Sequence, residues 1–143
     1  MRMKYGLAIA FMVFSLTGCI TNLESKKPAG TDLSNIKTFY IQKLPEEGRG
    51  IERMLADRLT RMGYVASYGI DGPATPVDAI ITYKDDWWWD LSWYLLQLDI
   101  QIRDPQTNLI LATGHSKRTS LVRKSSDEIV EDVLNETLKG VRQ

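Results

Sequence analysis

The stretch "LSWYLLQLDIQIRD", residues 91–104, decides the fold. Tyr94, Leu96, Leu98, Ile100 and Ile102 alternate with Trp93, Leu95, Gln97, Asp99, Gln101 and Arg103. A period of two marks a β-strand, because successive side chains point to opposite faces. One face is apolar and the other turns from apolar to polar along its length. The spacing therefore predicts a long strand with one face on a core. "DPQTN" follows, with Pro105 in the second position of a β-turn, where its restrained φ fits. "LILATGHSKR" then returns as the partner strand.

Outward from this hairpin the remaining elements fall into place. "IKTFYIQKL", 36–44, and "VDAIITYK", 77–84, are rich in β-branched and aromatic residues and read as strands, with "YVASYG" a short one between them. In "GIERMLADRLTRMG", Ile51, Met54, Leu55, Leu59 and Met62 share one helical face, and Gly63 suits the helix C-terminus. "SSDEIVEDVLNETLKGV" predicts a second helix. Ser125 and Glu128 have capping-box spacing, and Ile129, Val130, Val133, Leu134, Thr137, Leu138 and Val141 form its apolar stripe. The order β-α-β-β-β-β-α predicts an α+β two-layer sandwich, with two helices on one face of an antiparallel or mixed sheet. A chain of 143 residues with 43% hydrophobic residues suits one such domain.

The start of the chain carries a second signal. Arg2 and Lys4 precede the apolar run Tyr5–Leu16, which is short for a bilayer span but suits a secretory signal peptide. Leu16-Thr17-Gly18-Cys19 then resembles the lipobox of bacterial lipoproteins. That resemblance implies cleavage before Cys19 and acylation of Cys19. Two or three acyl chains on one residue anchor stably, where one does not. The expected organisation is a signal peptide over 1–18, a lipidated cysteine and flexible tether over 19–35, and one domain over 36–143. As a coil, the polar tether would reach ~20–24 Å. Ile20 stands where an aspartate often marks inner-membrane retention, so the expected location is the outer membrane, facing the periplasm.

The inventory for catalysis is thin. His115 is the single histidine, Cys19 the single cysteine, and neither a G-x-S-x-G nor a phosphate-binding glycine loop occurs. The expectation is a protein without enzymatic activity, cofactor or metal. With a formal charge of zero, no overall basic field argues for nucleic acid.

"YKDDWWWDLSWY", 83–94, is the one unusual constellation. Asp85, Asp86 and Asp90 could offer oxygens to a hard cation, but the bulky indoles between them break any calcium-loop spacing. On a strand, Asp85, Trp87 and Trp89 share one face, and Asp86, Trp88 and Asp90 the other. Part of the cluster can close the end of a core. The rest is a candidate contact surface for a membrane interface, a sugar or a protein partner. Lys117, Arg118 and Arg123 in "SKRTSLVRK" could join it, for acidic or phosphate groups, or be a solvated loop.

Together these features resemble small bacterial lipoproteins in which an aspartate-rich Trp segment precedes a hairpin closed by a D-x-x-T turn, here Asp104 to Thr107. The layout is more distantly similar to the lipopolysaccharide-assembly lipoprotein, none of whose functional residues matches a position here. The resemblance itself brings no activity with it, and the role expected from the residues is that of a lipid-anchored envelope module that binds or scaffolds. Its partners would be the membrane, through Cys19, and an envelope protein. The alternative is a glycan-binding accessory protein that uses the Trp/Asp segment on peptidoglycan or lipopolysaccharide.

Overall fold

The computed structural model describes residues 21–119, 121–139 and 141. The expected signal peptide and Cys19 lie outside them. The elements are β1 (Asn22–Lys26), β2 (Thr38–Gln42), α1 (Ile51–Arg61), β3 (Val65–Gly69), β4 (Ala79–Asp90), β5 (Ser92–Arg103), β6 (Ile110–Lys117) and α2 (Ser126–Thr137). They form a six-stranded sheet in the order β1-β6-β5-β4-β2-β3. β2 runs parallel to β3 and β4, and the other pairings are antiparallel. The fold is the expected α+β sandwich on a mixed sheet.

Burial explains the layering. Ile51, Leu55 and Leu59 of α1, and Ile129, Val130, Val133 and Leu134 of α2, pack on the sheet residues Phe39, Ile41, Ile81, Leu98, Ile100 and Ile102. Gly63, at φ 95°, ends α1, and the Tyr64 N–H reaches back to the Leu59 carbonyl. The α2 capping box forms as expected, with Ser125 and Glu128 bonded reciprocally.

Two expectations are corrected. The segment read as a flexible tether contains β1, which pairs with β6 from Asn22↔Lys117 to Lys26↔Thr113. Leu33 and Ile36 are also buried. A polar five-residue strand leaves no hydrophobic period to detect, because its stability comes from the ladder that β6 offers. The second correction concerns β5. Asp86 pairs with Gln97 but Trp87 pairs with Leu95, so Leu96 is the extra residue of a β-bulge. The bulge reverses the alternation. Leu95 is buried in place of Leu96, and Tyr94 leaves the core face.

Candidate functional site

The β4–β5 hairpin runs past the rest of the sheet. Its last pairs are Trp87↔Leu95, Trp88↔Tyr94, Trp89↔Trp93 and Asp90↔Ser92, with Leu91 at the apex. Trp88, Trp89 and Trp93 are 59%, 57% and 57% exposed, and Leu91 is 91% exposed. Trp87 is half-buried against the edge of the core.

Arginines hold both faces of the tip. On the helix-bearing face the Arg49 guanidinium lies 4.4 Å from the Trp87 ring centroid and 4.5 Å from that of Trp93. On the other face Arg123 lies 4.5 Å over Tyr94 and pairs with Asp90 at 2.8 Å. The Trp87 indole N–H donates to Asp85 at 2.6 Å. Asp85 and Asp90 therefore have partners inside the hairpin region, and Asp86 is exposed.

Behind Arg49 lies an acidic cluster. Glu47 accepts from the backbone N–H groups of Arg49 and Ile51, and so caps α1, whose N-cap, Gly50, has no side chain to do it. The Tyr83 hydroxyl lies 3.3 Å from Glu47 and 3.4 Å from Glu52. Lys43 pairs with Glu52 at 3.4 Å. Burial, and then a hydrogen bond to Glu52, push the Glu47 carboxyl above its usual range. Burial opposes ionisation of Glu52, but hydrogen bonds from Glu47, its own backbone and Lys43 outweigh it and hold Glu52 low. Burial, with the surrounding carboxylates, also raises the Tyr83 hydroxyl. The first proton to bind therefore goes to Glu47. A groove of about 640 Å³ opens beside this cluster, lined by Leu44, Pro45, Glu47, Arg49, Asp85 and Trp87.

The helix-free face of the sheet holds a second, polar groove of about 440 Å³ across β1, β6, β5 and β4. His115 sits there, its Nδ1 bonded to Asp99 on the neighbouring strand, and Gln97 donates to the other Asp99 oxygen at 2.7 Å. Glu24 and Lys26 of β1 form one wall.

The sequence-chosen contact residues thus divide. Trp88 and Trp89 stand free on the tip, with Asp86 at its base. Trp87, Asp85 and Asp90 are tied into the hairpin's own interactions. Lys117 is exposed at the end of β6. Arg118 leaves the surface altogether: it is 6% exposed and pairs with Asp132 at 2.5 Å, where Lys124 also binds. The single basic run is therefore split between a buried ion pair and the hairpin tip. Sequence reasoning missed Arg49, Glu47 and Glu52. Only Gly48-Arg49-Gly50, a lone arginine between two glycines, hinted at a charge placed for a purpose. Among the described residues no group of acids and histidine is arranged to hold a metal ion, and no helix is long and apolar enough to cross a membrane.

No family model and no curated protein matches this chain. Solved structures do match its fold. PelC from Paraburkholderia phytofirmans, crystallised as a dodecamer, aligns at TM-score 0.59 and 11% identity over 87% of this chain and 100% of its own. A second crystal form of it aligns at TM-score 0.58 and 12% identity, with the same coverage. A PDZ domain protein from Parabacteroides distasonis aligns at TM-score 0.53 and 13% identity over 87% of this chain and 37% of its own. At these identities the likeness is one of fold. A minor lipoprotein from Acinetobacter baumannii aligns at TM-score 0.29 and 18% identity over 71% of this chain and 80% of its own, too loosely to bear on the fold.

Proposed function

We propose that this chain is a lipid-anchored protein of the bacterial cell envelope, held by acylated Cys19 at the periplasmic face of the outer membrane. It works by binding and not by catalysis, and the hairpin end is its contact surface. The observation that carries this reading is the tip itself. Trp88, Trp89, Leu91 and Trp93 are all exposed at the end of the hairpin, Trp89 and Trp93 on the helix-bearing face and Trp88 on the other. Large aromatics left outside a core mark interaction sites. The lipobox supplies the anchor.

The test is photo-crosslinking in living cells from position 88, with position 106 in the β5–β6 turn as control. A discrete adduct from position 88 alone supports the reading. Equal labelling from both positions, or from neither, overturns it. Copies of this chain are one partner to look for in the adduct, since PelC, which shares the fold, forms a dodecamer.

The glycan-binding alternative is favoured by one arrangement, the groove in which the Trp87 ring adjoins Glu47 and Asp85. Retention on peptidoglycan or lipopolysaccharide, lost in Trp87→Ala but kept in Trp88→Ala, would select it.

A further inference from the structure

The geometry points to the bilayer carrying the Cys19 anchor as the surface on which the hairpin tip docks, with Leu91 and the exposed tryptophans lying at its interface. This rests on the lipid-anchored reading above and names the partner of the tip.

The argument begins with β1. Asn22 pairs with Lys117, Lys117 with Gln97, and Gln97 with Asp86. These four residues form one row across β1, β6, β5 and β4. By the antiparallel pairings, β4 runs toward the tip, β6 runs the same way, and β1 runs away from it. The chain therefore enters β1 from the tip's end of the sheet. Beyond the row, β4 continues through Trp87, Trp88, Trp89 and Asp90, a rise of ~13 Å at strand spacing. Cys19 precedes Asn22 by three residues, which span at most ~10 Å when extended. Chain length alone thus holds Cys19 within ~10 Å of the row from which the tip projects. A flexible 16-residue tether would have allowed any orientation. A three-residue link from a strand paired into the sheet does not.

The chemistry of the tip agrees. Indoles favour the interface between headgroups and acyl chains. Carboxylates would oppose entry, but Asp90 is neutralised by Arg123 and Asp85 is bonded to the Trp87 indole. Asp86 belongs to the row itself, at the base of the tip. The Arg49 charge lies between two indole rings. With its charges largely paired locally, the tip depends on apolar contact and needs no anionic lipid. Leu91 adds an independent sign. It holds φ 61°, a left-handed conformation that glycine, asparagine or aspartate adopts far more readily, and its side chain is almost fully exposed. Strain at an exposed turn, borne by a large apolar side chain, points to use of that side chain.

All four tryptophans of the chain, Trp87, Trp88, Trp89 and Trp93, lie in this hairpin end, so tryptophan emission reports on it alone. The acylated mature chain would be reconstituted in phosphatidylcholine vesicles with or without bromine near the top of the acyl chains. Docking predicts a roughly twofold loss of emission in brominated vesicles, insensitive to salt. Leu91→Asp, which suits the turn and leaves the core untouched, should restore most of that emission. Equal emission from plain and brominated vesicles, with the protein still floating with them, overturns the inference. So does quenching that Leu91→Asp leaves unchanged. In either case a protein adduct from position 88 would leave the proposed function standing with a protein as partner. Failure of the acylated chain to float with vesicles would remove the anchor, and both readings with it.

Discussion

Gly114 and Thr137 meet so closely that no side chain fits between them. A Cβ on Gly114 would lie 2.0 Å from Thr137 Oγ1 and 2.9 Å from Val133 Cγ1. Thr137 is buried, and its hydroxyl donates to the Val133 carbonyl at 2.6 Å, so it has nowhere to swing. The α2 helix lies on β6 at this distance because position 114 is glycine. Gly114→Ala should overpack the interface and cost roughly 2–3 kcal/mol. Urea unfolding would measure it. Thr137→Ser in the same background should restore little, because Oγ1 itself is the obstacle.

Arg49 joins the β2–α1 loop to the hairpin through Trp87 and Trp93. Two partly exposed cation–π contacts are worth about 1–2 kcal/mol together. Arg49→Ala should lower stability by that amount and shift tryptophan emission, as the two rings lose their cover. Arg49→Lys should recover part of both, since a lysine ammonium keeps the charge but not the planar stacking.

The Glu47–Glu52 pair gives a pH dependence whose sign can be worked out. Glu47 is raised in the folded state, so its contribution is present at acid pH and lost as pH rises through the folded value. Glu52 is lowered, so its contribution is present above the ordinary carboxylate value and lost as pH falls through the folded value. Glu47→Gln keeps an oxygen to accept from Arg49 and Ile51 while removing the charge. It should raise the melting temperature at pH 7, with the gain shrinking as pH falls below the raised value. Glu52→Gln should destabilise at pH 7 by leaving Lys43 unpaired. Thermal unfolding of both variants from pH 3 to 8 checks the signs.

Arg118 and Asp132 form the most buried ion pair among the described residues. Removing one member strands the other, which typically costs about 3–5 kcal/mol. Because Lys124 also reaches Asp132, Arg118→Ala should fall near the lower end of that range. Asp132→Ala strands two cations and should cost more. Chemical denaturation of the two variants gives the order.

Trp88→Ala should change stability by no more than about 0.5 kcal/mol, as for surface positions outside a core. The same substitution should remove much of the tip's contact surface. A drop of several degrees in melting temperature would instead return Trp88 to a structural role.

Particular residues show where legibility stopped. The stripe Ile129, Val130, Val133 and Leu134, and the capping pair Ser125 and Glu128, were readable because local spacing dictates both. Asp104 in the β5–β6 turn was readable for the same reason: its carboxylate accepts from the N–H groups of Gln106 and Thr107, a short-range pattern. The "DDWWWD" segment could be placed on a strand but not on a side of the core boundary. Its exposure depends on how far β4 outruns β1 and β6, a comparison between strands that no single segment encodes. Leu96 was assigned to the core face because a bulge leaves no trace in an alternation of leucines.

Local patterning alone determined the two helices, the central hairpin and the α+β class, since a 3.6-residue or two-residue period is a property of neighbours along the chain. It also determined that tryptophan and aspartate crowd one hairpin. Tertiary structure alone decided that polar Asn22–Lys26 becomes an edge strand and that Arg118 is buried while Arg123 is not. It also decided that Arg49, some forty residues from the tryptophans, lies between their rings. Each of these depends on an energy that exists only when distant segments meet: a ladder of backbone hydrogen bonds, a desolvated ion pair, or a cation held against aromatic faces.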